Sequence, residues 1–103
     1  MRRKNDKGIE MSARPVLDKI VNTVPLFVYY KPYGVSLEKL DELILTLEEI
    51  ETLNLKDRQG LDQKGAARKM GILRSTFQRI LKSARKKVIT AIIEGKAIKF
   101  EGE

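Results

Sequence analysis

Cysteine, histidine and tryptophan are all missing from this 103-residue sequence. Without cysteine no disulfide framework can form, which fits a reducing, cytoplasmic setting. Without cysteine and histidine, thiolate and imidazole metal sites are excluded, and so is nucleophilic catalysis of the Ser-His or Cys-His kind. Paired carboxylates remain available, but no Asp/Glu pair falls in a glycine- or aromatic-lined setting, so the sequence predicts no enzyme, no metal and no cofactor. Aromatic residues are scarce as well. Phe27, Tyr29, Tyr30, Tyr33, Phe77 and Phe100 fall at strand or core positions rather than as a stacking platform for single-stranded RNA. No apolar run approaches the roughly 18 residues needed to span a bilayer, and no signal-peptide pattern opens the sequence. The expectation is therefore a cytoplasmic protein with no membrane partner.

What is abundant is charge, and its distribution says more than its sum. Charged residues make up 34% and apolar residues 42%, a balance that favours a globular chain over a disordered one. The net charge is +7. Residues 36–61 carry three Lys/Arg against seven Asp/Glu, whereas residues 62–99 carry eleven against two. A segment of +9 beside one of −4 predicts a single basic surface, the footprint expected for a polyanionic partner. A merely solvated basic face would leave the same charge pattern, so a motif has to decide between them.

Periodicity divides the chain into an arm and one domain. Residues 1–13 are polar and aperiodic and read as a flexible N-terminal arm. Residues 14–103 read as a single domain. "PLFVYYKPYG" is β-branched and aromatic, closed by Pro32 and Gly34, and predicts a strand over 25–31. From Ser36, the spacing of Leu37, Leu40, Leu43 and Ile44 predicts a helix over 36–44. Thr46 with Glu49 three residues on is a capping-box signature for a helix over 47–58. Asp62 and Gly71 bound a short helix over 62–70, and a long helix follows over 74–94, stopped by Gly95. "KAIKFE" alternates and predicts a strand over 96–101. Val88, Ile89, Ala91, Ile92 and Ile93 cover more of the last helix than one packing face needs. The two strands are therefore expected to pair, with the surplus apolar surface buried in a homodimer through strands 25–31 and 96–101 and the end of helix 74–94.

The stretch around "GILRSTFQRI" carries the functional reading. Ala67 stands four positions before Gly71, where two closely packed helices need a small residue. Ala66, Met70, Ile72, Phe77 and Ile80 are apolar at the positions a helix-turn-helix core requires. The opposite face differs sharply. Arg74, Ser75, Gln78 and Arg79 project from the first turns of the second helix, where base-reading side chains belong. Arg can bond guanine O6 and N7 bidentately, and Gln can bond adenine N6 and N7. Lys64, Arg68, Thr76, Lys82, Arg85 and Lys86 surround them as phosphate-contacting candidates, which position without specifying sequence. An ordinary helical hairpin with a solvated basic side would share the charges, but not the joint pattern of glycine spacing, apolar positions and basic outward face.

"LTLEEIETLNLKDRQGLDQKGAARKMGILRSTFQRILKSARKKV" (45–88) resembles region four of the sigma-seventy class of sigma factors, a DNA-reading helix-turn-helix module. With its flanks, "YYKPYGVSLEKLDELILTLEEIETL" before and "EGKAIKFEG" after, the chain is similar to small prokaryotic proteins of the family called domain of unknown function 134. The resemblance covers roughly residues 13–102. It implies a mainly α fold, a four-helix, region-four-like helix-turn-helix core with one short strand at each end. It also implies a nucleoid-associated DNA-binding regulator. Two positions depart from the family, which usually has serine where this chain has Leu73 and glutamate where it has Gly65. The sequence thus predicts a sequence-specific reader of double-stranded DNA acting in transcription. The alternative is a protein-interaction module that docks the transcription machinery through the acidic 38–51 region without reading DNA.

Overall fold

The computed structural model describes residues 20, 21, 25 and 29–101. The arm over 1–13 and residues 26–28 of the strand expected over 25–31 lie outside the described residues. The described chain is mainly helical, with a small three-stranded sheet.

Local chemistry sets the helix ends. Helix α1 (Leu47–Leu53) opens on a reciprocal capping box: the Thr46 hydroxyl accepts from the Glu49 amide at 3.1 Å, and the Glu49 carboxylate accepts from the Thr46 amide at 2.9 Å. Two of the helix's otherwise orphaned donors are satisfied this way. The helix runs on into a single π turn (Asn54–Arg58), closed by the Gln59 amide donating to the Asn54 carbonyl at 2.8 Å. Helix α2 (Gln63–Met70) is capped by Asp62, whose carboxylate accepts from the Gly65 amide at 2.7 Å. It ends at Gly71 with φ at +68°, a conformation that a Cβ would strain. The Gly71 amide donates to the Arg68 carbonyl and the Ile72 amide to the Ala67 carbonyl, both at 3.1 Å. This is the Schellman pattern, and it turns the chain within residues 71–73.

Helix α3 (Arg74–Glu94) starts at once. Its N-cap, Leu73, has the extended backbone of a cap (φ −70°, ψ 152°) but no side chain able to accept a hydrogen bond. Leu73 is 73% exposed, so its side chain gives the core almost nothing. Leu73→Ser is expected to stabilise the protein by about 1 kcal/mol, because a hydroxyl there can accept from an N-terminal amide of α3. A higher urea midpoint would bear this out, and a lower one would show that the leucine packs usefully.

The helix expected over 36–44 is corrected by the structure. Only Leu37–Lys39 forms a helical turn, of the tight 3-10 kind, and Glu42–Leu45 is a strand, β2. Ser36 does not cap a helix; its hydroxyl donates to the Glu38 carboxylate at 3.3 Å. The spacing of Leu37, Leu40, Leu43 and Ile44 suits a helix, but "ELIL" also alternates, and here Leu43 and Leu45 turn inward while Glu42 and Ile44 are exposed. The partner that decides the matter lies some fifty residues away. Strand β3 (Ala97–Phe100) pairs in parallel with β2, Ala97 donating to the Asp41 carbonyl and Glu101 to that of Leu45.

On its other edge β3 pairs antiparallel with β1 (Tyr29–Tyr30), giving the order β1-β3-β2. Tyr30 meets Phe100 edge-on at 5.6 Å between ring centroids, and the Lys99 ammonium lies 5.9 Å from the Tyr29 ring. The two strands expected from the sequence do pair. With β3 in the middle, however, both its edges are occupied within the chain, so it cannot pair with a strand of a second copy.

Among the described residues two clusters make the core, and α3 spans both. Its first half packs Phe77 and Leu81 on Leu55 and on Ala66, Ala67 and Met70 of α2. Its second half packs Ala84 and Val88 against Leu45, Ile98 and Phe100 of the sheet. Leu53 touches both clusters and joins them. Ala66 and Ala67 are buried at the α2–α3 contact because their short side chains let the two helices approach closely. Ile80 is buried too, and Ile72 is half-buried against the first cluster.

Candidate nucleic-acid interface

Turning Phe77, Ile80, Leu81 and Ala84 inward leaves the other side of α3 outside. Arg74, Ser75, Gln78, Arg79, Lys82, Arg85 and Lys86 are all exposed, at the spacings of three and four that build one face. Lys64 and Arg68 of α2, also four apart, are exposed as well. Thr76 differs, being half-buried. The candidate base-reading residues Arg74, Ser75, Gln78 and Arg79 thus share the first two turns of α3, directly after the turn at Gly71.

Electrostatics divides the cations of this region into two groups. Among the described residues, no ion pair engages Lys64, Arg68, Arg74, Arg79, Lys82 or Lys86. Arg85 is committed elsewhere. It donates two hydrogen bonds to the Asp57 carboxylate, at 2.6 and 3.1 Å, from α3 to the π turn. Those bonds, with the guanidinium charge, hold Asp57 below the usual carboxylate range against the opposing effect of burial. A phosphate at Arg85 would have to displace Asp57, which weakens Arg85 as a phosphate ligand.

Lys87 is tied down more firmly. Its ammonium donates to the Glu49 carboxylate at 2.9 Å and to the Ile44 carbonyl at 2.7 Å. Glu49 is only 6% exposed, and its second oxygen accepts from the Ser83 hydroxyl at 2.6 Å. One carboxylate therefore caps α1 and clamps α3 onto it. Burial pushes the Glu49 carboxyl upward, but the hydrogen bonds from Ser83, Thr46 and Lys87, with the charge of Lys87, outweigh it and hold the group below its ordinary 4.5. A carboxyl depressed by folding contributes stability above that ordinary value and loses it as pH falls through the folded one. Glu49→Gln should therefore cost about 2 kcal/mol at neutral pH and flatten the fall in stability below about pH 4.5. Urea unfolding at a series of pH values checks both, and an unchanged acid limb would remove Glu49 as its source.

Glu48, Glu49 and Glu51 stand together in the first turns of α1, within the acidic 38–51 region. The structure buries Glu49 and Glu51 and leaves Glu48 half-exposed. Arg79 lines a shallow cleft of about 270 Å³ with Thr46, Glu48, Glu49, Ile80 and Ser83. One polar contact of the outward face went unread in the sequence. Gln63, the first residue of α2, accepts a 2.5 Å hydrogen bond from the side-chain amide of Gln78. No local pattern flags such a pair, because its members lie fifteen residues apart on different helices.

The far end of the same outward side changes character. Ile89, Ile92 and Ile93 lie seven residues beyond Lys82, Arg85 and Lys86 and are 50%, 68% and 75% exposed. Ala91, on the same stretch of helix, is by contrast buried. Beside them, Tyr30, Pro32, Ala91, Ile92 and Ile98 line a largely apolar groove of about 350 Å³.

The model of a family described as "Protein of unknown function DUF134" matches residues 7–103. Relatives carrying the name UPF0251 protein include one from Halothermothrix orenii, 47% identical over 87% of this chain and 67% of its own length. Another, from Moorella thermoacetica, is 47% identical over 86% of this chain and 60% of its own length. A third, from Dehalococcoides mccartyi, is 49% identical over 86% of this chain and 76% of its own length. The chain thus spans about six tenths to three quarters of these relatives. No solved structure matches it. Among the described residues, no helix is long and apolar enough to cross a membrane.

Proposed function

We propose, for a chain that belongs to the DUF134 family, that α2, the turn at Gly71 and α3 form a helix-turn-helix that reads double-stranded DNA. In this reading the protein is a transcriptional regulator. One observation carries it: the outward face of α3 holds Arg74, Ser75, Gln78 and Arg79 exposed at its start, flanked by cations of both helices that form no ion pair among the described residues. A recognition helix presents its N-terminal side chains to base edges in the major groove while neighbouring cations hold the backbone. A turn of only three residues keeps α2 and α3 in fixed relation, so the reading side chains act as one rigid set.

In this reading Arg74, Ser75, Gln78 and Arg79 contact bases, and Lys64, Arg68, Lys82 and Lys86 contact phosphates. Thr76, half-buried, and Arg85, bonded to Asp57, have the weaker claims. The exposed isoleucines at the end of α3 favour a homodimer through that helix end, with two reading helices on a palindromic site. Docking through the acidic 38–51 region is less favoured, because Glu49 and Glu51 face the interior.

Selection of bound fragments from random duplex DNA tests the function. Arg79→Ala should relax the base preference at one position of the selected site, by about five- to a hundredfold. Lys82→Ala should weaken every duplex alike. Failure to select any motif, together with salt-independent capture of a protein partner, would favour the docking alternative instead.

A further inference from the structure

A side-chain amide that reads adenine must offer one N–H and one carbonyl oxygen in a single plane, to N7 and N6 of the base. Glutamine carries two N–H donors and one oxygen, and three rotatable bonds, so a free side chain meets this demand in only a small share of its conformations. Gln78 is exposed on the fifth residue of α3 and is not free in this sense. Its amide nitrogen donates to the side-chain oxygen of Gln63 at 2.5 Å. Gln63 stands in the first turn of α2, directly after the Asp62 cap, and is half-buried there. The contact crosses from one helix of the pair to the other. It commits one N–H of Gln78 and leaves the other N–H and the carbonyl oxygen, the two groups an adenine needs.

We infer that Gln63 is a specificity-determining positioning residue, which holds the Gln78 amide in the orientation that reads an A·T pair. Gln63 touches no base; it acts through Gln78. The inference rests on the DNA-binding reading above and adds a residue and a base preference to it. An amide–amide pair is uncharged, so it fixes orientation without adding to the phosphate attraction that governs overall affinity.

The test compares the wild-type chain with Gln63→Ala, Gln63→Glu and Gln78→Ala in selection from randomised duplexes. Direct titration of the selected site and of its single-base variants follows. Gln78→Ala should abolish an A·T preference at one position. Gln63→Ala should reduce that same preference, by roughly two- to twelvefold for freeing one side chain, and leave the other positions and the melting temperature unchanged. Gln63→Glu keeps the acceptor, so it should retain the preference, while its added negative charge lowers affinity for every duplex. A purely structural role for Gln63 would move melting or overall affinity instead. A selected site whose A·T preference vanishes in Gln78→Ala but stays whole in Gln63→Ala would overturn this inference and leave the DNA-binding reading intact. A wild-type chain that selects no motif would overturn both.

Discussion

Raising monovalent salt from 50 to 200 mM is expected to weaken duplex binding by about 10⁴-fold if two copies bind together, and by about 10²-fold if one binds alone. The difference comes from counting cations. Lys64, Arg68, Lys82 and Lys86 are exposed without ion pairs among the described residues, which gives four phosphate ligands per copy. Each neutralised phosphate releases about 0.9 of a counterion, so the log–log slope should lie near −7 for a dimer and near −4 for a monomer. The slope therefore reports the stoichiometry as well as the binding mode. Arg85→Ala should hardly change it, because Asp57 already holds that guanidinium. Fluorescence anisotropy on a fixed duplex across this salt range provides the measurement. A slope near zero would remove the phosphate contacts, and with them the proposed function.

Phe77→Ala should cost about 3–5 kcal/mol, a large share of the roughly 5–15 kcal/mol by which a domain is stable. Phe77 is fully buried, and its neighbours offer little to fill the space it leaves. Ala66 and Ala67 are too short to reach in, and Met70 is itself fully buried. Partial collapse would require α2 to shift against α3, which the Schellman turn at Gly71 resists. Thermal unfolding should fall by about 4–8 °C per kcal/mol in a domain of this size. Duplex affinity should fall in parallel with the folded fraction and recover on cooling. A shift of less than about 1 kcal/mol would mean that the α2–α3 contact relaxes freely, contrary to a rigid reading unit.

Much of the helical part was legible because its signals are local. The Thr46–Glu49 box, the Asp62 cap, and the stops at Gly71 and Gly95 each depend on a few consecutive residues. The buried stripe of α3 follows from spacing alone. The 36–44 segment was misread for the complementary reason. Its leucines satisfy two periods, and only the edge of β3, far along the chain, selects the extended one.

The candidate site was legible in the same uneven way. Sequence by itself determined the turn, the apolar seam between α2 and α3 and the identity of the outward residues, because helical periodicity fixes which side chains share a face. It could not determine which of those side chains are free. Arg85 was bonded to Asp57, Lys87 to Glu49 and Gln78 to Gln63 only when separate elements packed together. The same packing buried Glu49 inside an acidic run and placed β3 between two strands. Charge and spacing are properties of the chain, whereas pairing and burial depend on which distant segments meet, and that is settled only in the folded structure.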